Sequence, residues 1–145
     1  MAITITRADV KRKCMIPTSE TAYDSSIDSL ISEMQPAVEY TIADEYLADT
    51  GSTGLQAALK LGILEVISGE FLGQLARELG NMEQFSVGGV TVGEMKERGP
   101  ELVQQGAARL VPLLKSMQLM MSGSAISSTT EDTEQTFGLE ETELR

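Results

Sequence analysis

Apolar residues recur along most of this chain at the spacing of an α-helix. The clearest case is the stretch from Thr53 to Gly80, which predicts one long helix of roughly 42 Å. This helix is apolar around nearly its whole circumference, so we expect neighbouring elements to bury it on several sides. Its small residues fall along a single line on the helix: Ala58, Gly62, Gly69, Gly73, Ala76 and Gly80.

The line of small residues indicates a close neighbour. Each glycine disfavours a helix interior by about 0.5–1 kcal/mol relative to alanine. That cost is offset where another backbone must approach the helix closely. The neighbour is either another helix of the same chain or a second copy of the protein. For the second case, the candidate subunit-packing residues are Ala58, Gly62, Gly69, Gly73 and Ala76.

Two helices are predicted before the long one. A short helix runs from about Arg7 to Met15, and Thr6 with Asp9 forms a capping box at its start. Pro17 ends it, because the residue before a proline avoids helical backbone angles. An amphipathic helix then covers about residues 21–48, and Pro36 within it should kink it or split it in two.

The last helix is predicted to begin at Gly99-Pro100-Glu101, where proline occupies a tolerated first-turn position. Pro112 should bend this helix. One stripe of apolar residues is expected to face the core: Val103, Ala107, Leu110, Leu114, Met117 and Met121.

Between the long helix and the last one, the apolar spacing changes to that of strands. Gly88-Gly89 tolerates the positive φ that a tight turn requires, which predicts a β-hairpin. A lone hairpin is marginal in water, so it either packs on the helices or pairs with a neighbouring subunit or partner. The candidate partner-binding residues are Phe85, Val87, Gly88, Gly89, Val90 and Val92.

The composition changes abruptly after Met121. Residues 122–130 are mostly Ser and Thr, and the rest of the chain is acidic. Too few apolar residues are present to offset the entropy of ordering, which predicts a disordered tail, residues 122–145, after a helical domain, residues 1–121. Three apolar residues among the acids suit a tail that orders on a partner: Phe137, Leu139 and Leu144. The predicted fold is therefore mainly α, a bundle of about four helices with one long central helix and a small hairpin.

Charge argues against a nucleic-acid-binding surface. The net charge is −11, of which the tail contributes six acidic side chains and one basic one. Such a protein is poorly suited to bind the phosphates of nucleic acid. Its negative charge would instead repel a DNA duplex that passes close to its surface. The basic cluster Lys11, Arg12 and Lys13 is either a solvated helix face or a docking patch for an acidic partner.

Chemical signals are few. The chain has no histidine, and its single cysteine, Cys14, is expected to be a small buried hydrophobe. No phosphate-binding loop is present, and Glu140-Glu141 lies in the predicted tail. We therefore predict no catalytic, cofactor-binding or metal-binding residue, and an enzyme using carboxylates and a metal is the weakest alternative. Without a signal peptide or a membrane-spanning stretch, a soluble intracellular protein is expected.

Several short motifs follow the predicted elements in order along residues 3–118: Ile5-Thr6, Asp9-Val10-Lys11, Ile16-Pro17, Asp24, Ile27, Leu30-Ile31, Glu39-Tyr40-Thr41, Phe85 to Val92 and Leu110 to Leu114. With these motifs, the order of elements resembles that of the head–tail connector proteins of tailed bacteriophages. The dense glycine line and the long acidic tail depart from the typical pattern.

The resemblance implies a structural adaptor without enzymatic activity. Such proteins form a ring, commonly of twelve copies, docked below the portal protein in the neck of the virion and assembled in the host cytoplasm. The ring extends the DNA channel without specific DNA binding or a membrane, and it offers a platform for a stopper or tail-completion protein. C-terminal segments in this family often reach the portal. A small helical assembly chaperone or regulatory binding module is the alternative.

Overall fold

Helix α4 (Thr53–Leu79) is the central element of the computed structural model, which describes residues 3–79, 86–87 and 89–116. The predicted mainly α fold with one long helix is confirmed. The other described elements are α1 (Arg7–Cys14), α2 (Asp24–Thr41), α3 (Asp44–Ala48), the strands β1 (Ser86–Val87) and β2 (Val90–Thr91), α5 (Val92–Leu110) and a 3-10 turn (Val111–Leu113).

Helix α1 begins at the predicted capping box. The hydroxyl of Thr6 accepts a hydrogen bond from the Asp9 amide at 3.2 Å, and the Asp9 carboxylate accepts one from the Thr6 amide at 3.0 Å. The helix ends at Met15, which has left-handed backbone angles with φ 63°. There the amide of Ile16 donates to the carbonyl of Lys11 at 2.8 Å, the bonding pattern of a Schellman motif.

Helix α2 continues past the proline that was expected to kink it or split it in two. Pro36 lies on the exposed side of α2, and the helix continues to Thr41. An exposed carbonyl left without its helical donor can bond to water, which makes a proline tolerable there. The chain leaves the helix at Ile42 instead, where the backbone forms an isolated antiparallel bridge with Leu114. The expected split at Pro36 is therefore wrong.

Helix α4 begins at Thr53, a residue type that often caps helices, but Thr53 itself lies within the first turn. The carbonyl of Ser52 accepts the first helical hydrogen bond, from the amide of Gln56 at 3.0 Å. Thr53 is therefore the first helical residue, whereas a capping residue precedes the helix.

Helix α5 begins seven residues earlier than predicted. Thr91 and Glu94 form a second capping box: the Thr91 hydroxyl accepts a hydrogen bond from the Glu94 amide at 3.2 Å, and the Glu94 carboxylate accepts one from the Thr91 amide at 2.8 Å. Pro100 therefore lies inside the helix on an exposed position rather than at its start. At Pro112 the chain does not bend as a helix but changes to a 3-10 turn.

The core-facing stripe of α5 also differs from the predicted one. Ala107 is exposed, whereas two glycines lie on the buried side. Met117 and Met121 lie outside the described residues. The buried positions of α5 are Val92, Met95, Gly99, Leu102, Gly106 and Leu110.

A single core surrounds α4, which packs against α5, α1 and α2. Twelve residues of α4 are buried, consistent with its apolar circumference. The largest fully buried side chains of the core include Ile27, Ile42, Leu59, Ile63, Ile67, Leu72 and Met95.

Candidate interaction surfaces

The glycine line of α4 contacts α5 of the same chain. A Cβ atom added to Gly69 would lie 2.5 Å from the carbonyl oxygen of Gly99 and 2.7 Å from the amide nitrogen of Val103. One added to Gly62 would lie 2.7 Å from the Leu110 side chain. These distances leave no room for a side chain, because real Cβ contacts are longer. Two helix backbones therefore meet at these positions.

The glycines of α5 also lie close to the backbone of α4. A Cβ atom added to Gly106 would lie 2.6 Å from the carbonyl oxygen of Gly62, and one added to Gly99 would lie 3.1 Å from that of Gly69. Gly62 and Gly69 are seven residues apart, as are Gly99 and Gly106, so the two pairs match along two antiparallel helices.

This packing corrects the subunit-packing assignment at Gly62 and Gly69, because α5 already fills the space beside them. The other three members of the proposed seam are placed differently. Ala58 is exposed, Gly73 is half-buried and Ala76 is buried with 5% exposure.

The predicted hairpin is present, with Ser86 paired to Thr91 and Val87 to Val90 in antiparallel register. Gly89 in its turn has φ 92°, the positive angle that favoured glycine there. Val90 is 5% exposed and Val92 is fully buried, so both belong to the core and cannot serve as partner contacts. Other candidates lie outside the described residues: Phe85, Gly88, Phe137, Leu139 and Leu144.

Cys14 is a buried residue of the core, as expected. Its side chain is fully buried, and its sulfur lies 3.6 Å from the carbonyl oxygen of Ser68. Burial raises the pKa of the Cys14 thiol to about 12, and the hydrogen bond to Ser68 and the charge of Arg98 oppose this only in part. A thiol this weakly acidic is almost entirely protonated near neutral pH and is therefore a poor nucleophile.

Lys11 is not part of a solvated face, nor is it free for docking. Only 3% of the residue is exposed, and its ammonium lies 2.5 Å from the carboxylate of Asp24. It also donates to the backbone carbonyls of Thr18, at 3.3 Å, and Glu20, at 2.6 Å. Lys11 therefore joins α1 to the loop before α2 and to the start of that helix.

Arg12 and Lys13 belong to a cluster in which four cations share two carboxylates. Asp9 lies 2.7 Å from Arg12 and 3.6 Å from Lys60. Glu65 lies 2.6 Å from Arg109 and 3.5 Å from Lys13. The carboxylates are the inner groups, and we call the four cations Arg12, Lys13, Lys60 and Arg109 the basic patch.

The basic patch faces solvent while its carboxylates do not. The side chain of Arg12 is 73% exposed and that of Arg109 is 47% exposed, whereas Glu65 is only 2% exposed. An excess of positive charge is therefore presented on a strongly acidic protein. Arg12 and Lys13 are adjacent in sequence, whereas Lys60 and Arg109, which complete the patch, lie far away along the chain and reach it only through the fold.

Opposing effects set the acidity of Asp9. Burial raises the pKa of its carboxyl, but hydrogen bonds from Thr6 and Arg12 and the charge of Lys60 lower it more. The net pKa is lower than usual, so the carboxylate form is stabilised in the folded protein.

Among the described residues, the large apolar side chains that face solvent are Met15, Tyr40 and Val111. Tyr40 is 76% exposed, and the ammonium of Lys115 lies 4.5 Å from the centre of its ring. We call Tyr40, Val111 and Lys115 the junction surface, because the end of α2 meets the end of α5 here. The junction is held by the hydrogen bond from the Ala43 amide to the Leu113 carbonyl, at 2.9 Å.

A polar groove lies between α2 and α4. Its volume is about 260 Å³, slightly below the usual range for small-molecule pockets of about 300–1,000 Å³. It is lined by Ser25, Ser26, Ser29, Leu30, Glu33 and Gln74.

Within residues 3–79, 86–87 and 89–116, no cluster of three or more His, Cys, Asp or Glu side chains is placed to hold a metal ion. No helix in this part of the chain combines the length and the apolar character needed to cross a membrane.

Comparison with protein-family models, with curated proteins and with solved structures gives no match to this chain.

Proposed function

We propose that this chain is a structural head-to-tail adaptor of a tailed bacteriophage. In this role, copies of the chain form a ring below the portal protein that extends the DNA channel. The ring provides the docking platform for a stopper or tail-completion protein. No enzymatic step is part of the proposal.

The order of elements carries this proposal. A short capped helix, Pro17, the amphipathic α2, the long apolar α4, a hairpin and a last helix follow one another along the chain. This is the order on which the resemblance to connector proteins rests. The net charge of −11 is compatible with DNA passing through a channel without adhering to its wall.

The contact with other proteins is assigned to the junction surface. Val90 and Val92 are buried, so the hairpin offers fewer contacts than expected. Tyr40 and Val111 expose apolar area close to the point where residues 117–145 leave the described fold. Aromatic side chains with one apolar and one polar part are common in protein interfaces.

The test uses the full-length protein and the portal protein encoded in the same genome. Native mass spectrometry of the mixture is expected to show several copies bound to one portal assembly, and electron micrographs should show added mass below the portal. A ring multiplies weak contacts, so the isolated adaptor need not assemble. A protein that stays solitary beside assembled portals would refute the proposal.

Variants of the junction surface locate the contact. The replacements Tyr40→Ser and Val111→Ser should reduce the number of copies bound to the portal while leaving the helical circular dichroism unchanged. Met15→Ser is the matched control, because Met15 is 67% exposed but lies at the end of α1. If Met15→Ser reduced the number of bound copies as much as Tyr40→Ser and Val111→Ser did, the contact could not be assigned to the junction surface.

A chaperone or regulatory module gives a different result. It would bind during assembly but be missing from finished particles, so peptide mass spectrometry of purified virions separates it from an adaptor. An adaptor is expected in virions at the same ring stoichiometry found with the isolated portal.

A further inference from the structure

The basic patch is a partly exposed cluster of positive charge on an acidic protein. Its four cations come from three elements: Arg12 and Lys13 from α1, Lys60 from α4 and Arg109 from α5. Because α1 and α5 both pack on α4, the fold brings together charges that are up to 97 positions apart in sequence.

Within the described part of the chain, the guanidinium groups of the patch have N–H donors that the two inner carboxylates do not occupy. Bonds to the two inner carboxylates occupy one N–H group of Arg12 and two of Arg109, out of about five donors on each guanidinium. Lys60 lies 3.6 Å from Asp9 and is 44% exposed. Four cations facing two carboxylates leave a local excess of positive charge, which favours a ligand carrying several carboxylates.

We propose that the basic patch binds the acidic C-terminal segment of the same chain, Glu131 to Glu143. This segment holds all six of the tail's acidic residues: Glu131, Asp132, Glu134, Glu140, Glu141 and Glu143. The proposal concerns a contact within one chain and does not depend on the adaptor role.

The connecting chain is long enough to reach. Arg109 and Ser116 are seven residues apart, so the point where the described chain ends lies within about 25 Å of the patch. The chain from Ser116 to Glu131 covers 15 residue steps, and a flexible segment of that length has a typical end-to-end distance of about 20 Å. An attached ligand with a linker that spans the gap has an effective concentration on the order of millimolar.

This ligand is a better fit than nucleic acid. A duplex approaching the patch meets the field of a protein whose total charge is −11, which opposes association over distances of about 10 Å at moderate salt. The tail is already tethered beside the patch, and its binding reduces the separation of charge within the molecule.

The experiment places a nitroxide spin label in the tail of the full-length protein. Thr136→Cys introduces the labelling site between the two acidic groups of the tail, and the buried Cys14 should not react in the folded protein. In isotope-labelled protein, the amide signals of Arg12, Lys13 and Arg109 are expected to broaden, whereas that of Arg77 should not.

Charge variants test the cause of the broadening. The double replacement Arg12→Gln and Lys60→Gln should remove most of it, and so should salt at about 1 M, where the screening length is ~3 Å. Arg77→Gln is the matched control, because Arg77 forms an exposed pair with Glu70 on a distant part of α4. Persistence of the broadening in the double variant would overturn the proposal.

A change in the tail tests the same contact without altering the folded core. Glu140→Gln, Glu141→Gln and Glu143→Gln together should also remove most of the broadening. Broadening that arises only between a spin-labelled chain and a separate isotope-labelled chain would refute an intramolecular contact. Patch signals that shift with a short DNA duplex, while the tail label leaves them unaffected, would assign the surface to nucleic acid instead.

Discussion

Helix α4 is held against its neighbours by two different physical means. On the α5 side, glycines allow two backbones to meet, with Gly69 against Gly99 and Gly62 against Gly106. On the α1 side, Cys14 is buried against Ser68, but ion pairs link the polar surface of α1 to Lys60 and Glu65. The glycine contact requires that side-chain atoms be absent, whereas the polar contact depends on charge and includes Arg109 of α5 as well as residues of α1.

The two contacts should therefore fail under different changes. Backbone atoms at the α4–α5 contact cannot move aside, so a single methyl group there is costly. Charged side chains at the α1 contact are long and partly solvated, so neutral replacements of the exposed ones should cost little. The predictions below use this difference.

The largest effect is expected from Gly69→Ala. Its methyl group would lie 2.5 Å from the Gly99 oxygen, and we expect the free energy of unfolding to fall by about 3 kcal/mol. Gly73→Ala is the control one turn away, because its methyl group would meet only the end of the Arg77 side chain, at 3.5 Å. It should raise the free energy of unfolding by about 0.5–1 kcal/mol. Urea unfolding measures both, and changes of the same sign would contradict the backbone contact.

The sequence predicted the close approach but not the helix that makes it. Gly62, Gly69 and Gly73 indicated that a backbone lies near α4, whereas Gly99 was interpreted as the start of the last helix. Proline at position 100 caused that error, because proline is common in a first turn and rare in a helix interior. The equal spacing of Gly62–Gly69 and Gly99–Gly106 was a signal that could have identified α5.

The capping boxes show the same limit of local patterns. Thr6 and Asp9 stood next to a clear helical segment, and the predicted cap is confirmed. Thr91 and Glu94 have the equivalent spacing, but Val90 and Val92 around them alternate as in a strand. Ion pairs such as Glu65–Arg109 join residues 44 positions apart, and only the tertiary fold determines them.

The second largest effect is expected from Glu65→Gln, in the ion-pair cluster that joins α4 to both α1 and α5. The amide keeps the size of the side chain but loses the charge that faces Arg109 and Lys13. Bonds to charged groups contribute more than neutral ones, so the free energy of unfolding should fall by about 1.5 kcal/mol.

The control for this variant is Glu70→Gln. Glu70 is 37% exposed and pairs with the exposed Arg77 on the same helix, so its replacement should cost at most about 0.5 kcal/mol. Denaturant unfolding of the two variants under identical salt gives the comparison. Equal costs would mean that burial does not strengthen the Glu65 pair.

A gain in stability is expected at the end of α1, from Met15→Gly. Met15 has left-handed backbone angles and is 67% exposed, and this conformation costs a residue with a side chain about 1–2 kcal/mol. Glycine removes the strain but gains freedom in the unfolded chain, so a net increase of about 0.5–1 kcal/mol is expected. Met15→Ala keeps the strain and should be neutral in thermal unfolding; an equal gain from alanine would exclude relief of strain.

The smallest effect is expected at Asp9 and depends on pH. The pKa of Asp9 is lowered in the folded protein, so its carboxylate stabilises the fold above the unfolded pKa of about 3.9. This stabilisation should be lost as the pH falls below about 4 and through the lowered pKa. Arg12 and Lys60 are exposed, so solvent screens part of the interaction and the loss should be small.

The variant Asp9→Asn isolates this contribution. Its free energy of unfolding, measured from about pH 6 to about pH 3, should depend less on pH than that of the parent protein, because one proton-binding difference is removed. Gly73→Ala, on the other side of α4, should shift the whole curve without changing its shape. If Asp9→Asn kept the full acid sensitivity of the parent, the charges around Asp9 would not stabilise the contact between α1 and α4. The stability of that contact would then come from the apolar burial of Val10 and Cys14.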